Sequence, residues 1–140
     1  MEKIKMTFKE ATVAVFTNFF NFNGRARRKE FWTFVLFYIV IMVGAIALDV
    51  TMGLNKYLYG NGPFYMIANL ITFFPWLSAI IRRLHDVGHS GTYILWSLVP
   101  FIGGIIILYA TLKDSEAGSN DYGDSPKYPE IDYENNEESE

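Results

Sequence analysis

The sequence predicts an all-α membrane protein, with an N-terminal amphipathic helix, about three transmembrane helices and a disordered acidic tail. Half of the 140 residues are hydrophobic, and residues 31–48 contain no charged side chain, a run about long enough to cross the ~30 Å hydrocarbon core of a bilayer. Charge is divided along the chain, because residues 1–112 hold ten basic and five acidic residues, whereas residues 113–140 hold two and ten. The two parts carry +5 and −8, so the overall charge of −3 conceals a basic membrane body.

The first predicted region, residues 1–30, consists of an amphipathic helix over residues 4–22 and a basic collar. Apolar side chains recur every three or four positions, which places them on one helical face, at Ile4, Phe8, Ala11, Val15, Phe19 and Phe22. This face suits either a helix lying in the headgroup plane or a helix folded against the spans. Lys3, Lys5 and Lys9 favour the interfacial position, since they suit an anionic lipid surface.

A cationic cluster follows, formed by Arg25, Arg27, Arg28 and Lys29. Its simplest interpretation is a positive-inside signal that keeps this end of the first span in the cytoplasm. A more specific interpretation is a site for an anionic lipid headgroup or another phosphate, to which Arg82 and Arg83 also contribute. The basic residues are confined to membrane edges and show no groove-reading motif, so nucleic-acid binding is not expected.

The predicted transmembrane domain covers residues 31–112, with spans at about 31–50, 64–81 and 92–112. In the first span Trp32 is placed for the interfacial aromatic belt, and Asp49 marks the far end. The loop after it carries turn residues and a single lysine, too little charge to hold that loop inside. In the second span Pro75 is expected to kink the helix, and Asn69 to face another helix.

The third apolar segment, residues 92–112, allows two courses. Its roughly 21 uncharged residues suffice for one crossing, which is our prediction. Pro100, Gly103 and Gly104 allow instead a re-entrant pair of short helices, if protein or water covers the freed backbone. Residues 113–140 are predicted to form a largely disordered acidic tail, with turns over residues 118–126.

Residues 82–91 carry the most concentrated polar chemistry of the chain. His85 and His89 are four positions apart, as the two histidines of helical zinc sites are. Gly88 and Gly91 argue against a continuous helix, and no third ligand is evident, so neither a metal nor another cofactor is expected. The chain has no cysteine, which excludes thiolate chemistry. The alternative is a polar turn in which Asp86 accepts hydrogen bonds from nearby amides or arginines.

The order and spacing of several motifs resemble the bacterial inner-membrane family known as domain of unknown function 805. The motifs lie at residues 22–32 (Phe-Asn-Gly-Arg-Ala-Arg-Arg-Lys-Glu-Phe-Trp), 75–76, 82–86, 90–91, 100–103 and 118–126. The resemblance covers most of residues 20–126 and implies an integral membrane protein of unestablished molecular function. Two departures are visible: Thr92 and Tyr93 stand where the family often has paired tryptophans, and His89 stands where a basic or polar residue is usual.

Three spans with both basic clusters inside place the N-terminus in the cytoplasm and the tail outside. Because the clusters then share one membrane face, we hypothesise that Asp86 pairs with an arginine of the first cluster. Glu30 would pair with Arg82 or Arg83, and His85 joins the two acids as a candidate for polar contact between the spans. Partial dehydration beneath the headgroups strengthens such contacts.

Three classes of function fit these features. A non-enzymatic interaction or scaffold component of the inner membrane, in contact with anionic lipids, is favoured because no catalytic constellation is visible. A small transporter or channel subunit would have to oligomerise, and its polar lining would be limited to Asn69, Thr72 and Ser78. A membrane enzyme acting on a lipid or phosphate would use His85, Asp86 and the arginines. The expected partners are membrane lipids, with a second copy or another membrane protein as alternatives.

Overall fold

The structure is a computed structural model that describes residues 5–54 and 61–128. These residues form five helices and no β-strand, in agreement with the predicted all-α class. The elements are α1 (Phe8–Thr17), α2 (Arg28–Thr51), α3 (Pro63–Asp86), a 3₁₀ helix (Gly91–Leu98) and α4 (Ile102–Leu112). Within the described part of the chain, α2 and α3 are the helices long and apolar enough to cross a membrane. Each has 24 residues, a length of roughly 36 Å.

Helices α2 and α3 pack along each other and turn most of their apolar side chains outward. Phe31 and Phe34 of α2 meet Ala79 and Ile80 of α3 in the core. The outward side chains are almost all apolar and include Leu36, Ile39, Val43, Leu70, Ile71 and Phe73. An apolar outer surface on a helix pair is typical of proteins solvated by lipid. Helices suit that environment, since they satisfy their own backbone polar groups.

At the end of the pair away from the arginines, α2 provides the N-terminal cap of α3. The carboxylate of Asp49 accepts hydrogen bonds from the amides of Phe64 and Tyr65, at 3.1 and 2.8 Å. An acid at this position satisfies free amides and complements the helix dipole. A Cβ at Gly62 would overlap the Asp49 side chain, so the close approach requires glycine. Sequence analysis placed Asp49 at the end of a span and did not anticipate this cap.

Helix α1 is shorter than the predicted 4–22 and starts with a capping box formed by Thr7 and Glu10. Ala11 and Val15 of the predicted apolar stripe are buried, and Val15 joins the core beside Phe31. This contact corresponds to the second predicted position, in which the helix folds against the spans. The outer side of α1 still exposes large apolar side chains, at Phe8, Val13 and Phe16. Ile4 and Lys3 lie outside the described residues.

The prediction of a single third helix over residues 92–112 is wrong for this structure. The segment folds back on itself as the 3₁₀ helix, a turn and the 11-residue helix α4. Pro100 lacks an amide proton and disfavours a helical Val99, and Phe101 takes a left-handed conformation with φ of 64°. Gly103 permits the return, because a Cβ there would overlap the carbonyl of Trp96. We refer to residues 91–112 as the hairpin.

Residues 113–128 pack on the C-terminal end of α3 and correct one further prediction, that the tail is largely disordered from residue 113. The Glu116 amide donates to the Asp86 carbonyl at 2.9 Å, and Ser115 and Ser125 are buried. This part of the tail is therefore folded. It also lies at the same end of the helix pair as Arg25 and Asp86, because the hairpin returns to where it began. The predicted disorder of residues 131–140 concerns positions outside the described residues.

Helix α3 also continues beyond the predicted end at residue 81. Arg82, Arg83 and His85 form its last turn, and the helix ends at Asp86 before Gly88, which adopts φ of 79°. The predicted polar turn is therefore shorter than expected. Pro75 lies buried within α3, which continues as one helix across it. The extra turn of α3 brings its charged side chains among α1, α2, α4 and the tail.

Candidate functional site

The candidate site begins with Asp86, whose carboxylate lies at the centre of a buried polar network. Its Oδ1 accepts a hydrogen bond from Arg25 Nε at 3.2 Å, and its Oδ2 accepts one from Ser115 Oγ at 2.6 Å. Arg83, three residues earlier in α3, also pairs with Oδ2. The side chains of Arg25 and Asp86 are 1% and 0% exposed. Two guanidinium groups and a hydroxyl thus satisfy one carboxylate away from solvent, as a buried charge requires.

Arg25 also holds the folded part of the tail. Its terminal nitrogens donate to the carbonyl oxygens of Gly118, Gly123 and Glu116, at 2.8, 3.1 and 2.5 Å. The planar guanidinium group can donate several hydrogen bonds in fixed directions at once, which an ammonium group cannot reproduce. A single side chain from the segment before α2 therefore connects the end of α3 to residues 116–123.

A second ion pair links α2 to α3. Arg82 Nη1 lies 2.5 Å from Glu30 Oε1, and both side chains are buried. Within the described structure Arg82 Nε has no hydrogen-bond partner. Together with the contact between Asp86 and Arg25, this arrangement has the crossed connectivity that the sequence hypothesis describes. Asp86 of α3 faces an arginine that precedes α2, and Glu30 of α2 faces an arginine of α3.

The network changes the interpretation of three proposed lipid contacts. Arg83 donates to the carbonyls of Thr111, Ala26 and Lys113 as well as to Asp86. Its side chain is fully buried, and those of Arg25 and Arg82 are nearly so. Their guanidinium groups point into the protein, since buried carboxylates and carbonyl oxygens offer them partners there, so they are not placed to contact lipid.

The histidines of residues 82–91 stack on different tyrosines. The His85 ring lies parallel to Tyr122 with 3.7 Å between centroids, and its Nδ1 is 3.1 Å from the Gly24 carbonyl. His89 stacks on Tyr93. Among residues 5–54 and 61–128, no group of three metal-ligating side chains could hold a metal ion. His85 thus packs the tail onto α3, and Asn120 adds a hydrogen bond to its carbonyl at 2.9 Å.

Beside the network lies an open pocket of about 610 Å³, which we call the cationic pocket. It combines four basic side chains with one acid and an apolar wall, and is lined by Met6, Arg27, Arg28, Lys29, Trp32, Leu112, Asp114, Ser115 and Lys127. Arg28 is about half exposed and lies 3.5 Å from Asp114, and Lys29 is exposed and donates to the Met6 carbonyl at 2.6 Å. Of the six proposed lipid contacts, Arg27, Arg28 and Lys29 therefore line a space that a ligand can enter.

Asp114 is the acid of the cationic pocket. Lys127 Nζ lies 2.5 Å from both of its oxygens, and the Tyr128 hydroxyl donates to Oδ2 at 3.3 Å. Partial burial opposes ionisation, but the Lys127 contacts, the Ser115 amide and the charge of Arg28 lower the pKa of Asp114 to about 2. Asp114 is therefore a carboxylate at neutral pH and fastens the tail at the rim of the pocket.

Sequence reasoning missed the contributions of the tail, namely Ser115, Asn120, Tyr122 and the carbonyl groups that Arg25 binds. The available signal was the dense run of small, polar and turn-forming residues at 118–126, which we interpreted as turns within a disordered tail. Backbone carbonyl groups leave no pattern in a sequence. Their role became visible when the fold placed them around Arg25.

Comparison with known proteins gives consistent results. The family model described as "Protein of unknown function (DUF805)" matches residues 19–124. "Inner membrane protein YhaI" of Escherichia coli (strain K12) is 41% identical over 116 residues, covering 83% of this chain and 94% of the relative. "Inner membrane protein YhaH" of the same strain is 37% identical over 113 residues, covering 81% and 93%. No solved structure matches the chain.

Proposed function

This chain belongs to the family described as protein of unknown function DUF805, and from this premise we propose that it is a multi-pass protein of the bacterial inner membrane that binds anionic lipid headgroups without catalysing a reaction. The observation that carries the proposal is the cationic pocket. Its charged rim and apolar wall lie at the end of the two candidate spans, where lipid headgroups meet a membrane protein.

The proposed topology has α2 and α3 crossing the bilayer, with both ends of the described chain in the cytoplasm. Arg28 and Lys29 begin α2, Arg25 and Arg27 precede it, and the last turn of α3 returns to this cluster. Loops with excess Lys and Arg remain on the cytoplasmic side. Because residues 113–128 pack on this same end, the topology places the folded tail in the cytoplasm with them.

The composition of the cationic pocket supports a lipid ligand. Arg28 and Lys29 provide donors for phosphate oxygens, and Trp32 and Leu112 provide an apolar wall next to them. Basic pockets at the cytoplasmic ends of transmembrane helices bind anionic headgroups. Four basic side chains against one acid leave the pocket a net positive charge, which favours a headgroup with a net negative charge over a zwitterionic one.

The alternatives of an enzyme and a channel have less support. Glu30 and Asp86 are already engaged in buried ion pairs, and His85 is enclosed by Tyr122 and Gly24. For a channel, the polar groups in the spans face backbone: Thr72 donates to the Ala68 carbonyl and Ser78 to those of Asn18 and Asn21. These side chains supply helix contacts instead of a polar path.

The test is lipid binding by the purified full-length protein in nanodiscs. We expect phosphatidylglycerol or cardiolipin to bind in preference to phosphatidylcholine, measured by native mass spectrometry of retained lipids. The double variant Arg28→Ala/Lys29→Ala should bind anionic lipid about 30-fold more weakly, since each basic residue near the surface contributes roughly 1 kcal/mol.

A matched control removes two exposed lysines outside the cationic pocket, Lys5→Ala/Lys9→Ala. It should lose less binding than Arg28→Ala/Lys29→Ala, because its two charges attract an anionic surface without contacting a headgroup in the cationic pocket. Equal losses in the two double variants, or equal binding of phosphatidylcholine, would show that the pocket is not a headgroup site. Inorganic phosphate is titrated as a competitor, because strong competition at millimolar concentration identifies a free anion as the ligand instead of a lipid.

A further inference from the structure

We propose that the hairpin, residues 91–112, enters the bilayer from the Arg25–Asp86 end, reaches the midplane and returns, so that its partner is the acyl-chain region of a single leaflet. This inference rests on the proposed crossing of the membrane by α2 and α3, and it does not depend on headgroup binding in the cationic pocket.

The lengths of its two arms support this depth. The 3₁₀ helix has eight residues and α4 has eleven. At about 2.0 Å per residue for a 3₁₀ helix and 1.5 Å for an α-helix, each arm spans roughly 16 Å. This is about half of the ~30 Å hydrocarbon core. The arms are therefore equal in length and each matches one leaflet.

Both ends of the hairpin are fixed at the level of the buried network. The His89 amide, just before the hairpin, donates to the Leu84 carbonyl at 2.9 Å. At the other end, Arg83 Nε donates to the carbonyl of Thr111 at 3.1 Å. The hairpin therefore enters and leaves at the last turn of α3.

The packing partners of α4 show the direction of the hairpin. Ala110 packs near Leu84, and Ile107, one turn before it, joins the cluster of Ala79 and Ile80. Moving back along α4 from its end thus leads back along α3, away from the charged end. The turn at Pro100 is for this reason the part of the hairpin farthest from the network.

The tip of the hairpin, the turn at Pro100 and Phe101, is apolar, as contact with hydrocarbon requires. Phe101 is 95% exposed, and exposed apolar side chains surround it, including Leu95, Leu98, Ile102 and Ile105. The turn satisfies backbone groups internally: Gly103 donates to the Val99 carbonyl at 2.9 Å, and Ile102 donates to that of Pro100 at 2.8 Å. Such internal partners are needed at membrane depth, because hydrocarbon offers none to a free amide or carbonyl group.

A consequence for the shape of the molecule follows. The leaflet at the Asp49 end accommodates α2 and α3, whereas the leaflet at the Asp86 end accommodates those two helices and both arms of the hairpin. The protein then occupies more area in one leaflet than in the other.

Because the chain has no cysteine, single-cysteine variants can be made without first removing native thiols. Phe101→Cys and Leu98→Cys test the tip, Met52→Cys reports the Asp49 end, and Ser119→Cys reports the folded tail. In intact cells and in inverted vesicles, a membrane-impermeant maleimide should label Met52→Cys from outside and Ser119→Cys from the cytoplasmic side. The two tip variants should be labelled from neither side, and should react after detergent is added.

Depth is then measured with nitroxides attached at the same cysteines in bilayers. The rate at which the nitroxide collides with oxygen, divided by its rate of collision with a water-soluble nickel complex, should be highest at residues 98 and 101. Labelling of the tip from the Met52 side would mean a full crossing, and labelling from the Ser119 side would mean a hairpin on the surface; either result overturns the inference. If Met52→Cys and Ser119→Cys react from the same side, the proposed topology itself fails, which distinguishes the two failures.

Discussion

Arg25 Nε lies 3.2 Å from Asp86 Oδ1, and this contact joins residues 61 positions apart at the junction of α2, α3 and the folded tail. Because both side chains are excluded from solvent, neither charge has water as an alternative partner. A buried carboxylate between two guanidinium groups contributes little net energy by itself, but removal of its charge leaves buried cations uncompensated.

We therefore expect Asp86→Asn to destabilise the protein by about 3–5 kcal/mol, a typical cost of breaking a buried ion pair by removing one partner. The apparent melting temperature in detergent, followed by size-exclusion chromatography after heating, measures this effect. Asp121→Asn removes one negative charge at an exposed position of the tail and should leave the melting temperature unchanged. Equal stability of the two variants would contradict the role assigned to Asp86.

Gly62→Ala tests the cap at the other end of the helix pair. The added Cβ would overlap the Asp49 side chain and displace it from the amides of Phe64 and Tyr65. We expect a loss of about 1–3 kcal/mol, which combines the loss of the cap with local overpacking. Gly44→Ala in α2 is the matched control, since no atom lies within 4 Å of its Cβ position. Thermal unfolding in detergent compares the pair, and a loss of the same size at Gly44 would point to a general effect of the added methyl group.

The buried ion pairs and the hairpin differ in how far the sequence predicts them. Charges beside a hydrocarbon core require partners, so the acids Glu30 and Asp86 could be matched with arginines before the fold was known. Sequence reasoning could not identify Arg25 within its cluster, because the choice depends on the carbonyl groups of residues 116–123, which no side-chain pattern marks. The hairpin was named as an alternative but not preferred, for a different reason. A run of 21 uncharged residues has the length of one span or of two half-spans, and the outcome depends on how Gly103 fits against Trp96.

The same glycine provides a third prediction. Gly103→Ala places a methyl group on the carbonyl of Trp96, and rotation of a side chain cannot relieve an overlap with backbone. We expect a destabilisation of about 1–3 kcal/mol and separation of the two arms. Gly104→Ala has open space at its Cβ position and should be neutral. Hydrogen exchange over residues 91–112 measures the opening of the hairpin; similar exchange in the two variants would contradict the close packing described for Gly103.

The contact between Asp114 and Lys127 should weaken in acid. The pKa of Asp114 is about 2 in the folded protein, below the ordinary value near 3.9. A lowered pKa means that the stabilisation is fully present above about pH 4 and is lost as the pH falls through about 2. The stability difference between wild type and Asp114→Asn should therefore be constant from pH 7 to 5 and vanish near pH 2.

We expect this difference to remain below about 1 kcal/mol, since exposed ion pairs are screened. Urea unfolding across this pH range measures it, and a difference that increases towards low pH would have the wrong sign.

The same substitution should strengthen binding of anionic lipid. Asp114 faces Arg28 and Lys127 in the cationic pocket, where it occupies donors that a phosphate group would use. Asp114→Asn removes this competing charge, and we expect binding of phosphatidylglycerol to strengthen by roughly fivefold, about the effect of one charge near the membrane surface. Asp124→Asn is the control, because it removes an exposed acid of the tail that does not line the pocket. Affinity measured in nanodiscs at several salt concentrations separates a local effect from a general one. A gain in affinity in both variants would reflect net charge alone. A gain confined to Asp114→Asn identifies the Asp114 carboxylate as an internal competitor of the headgroup.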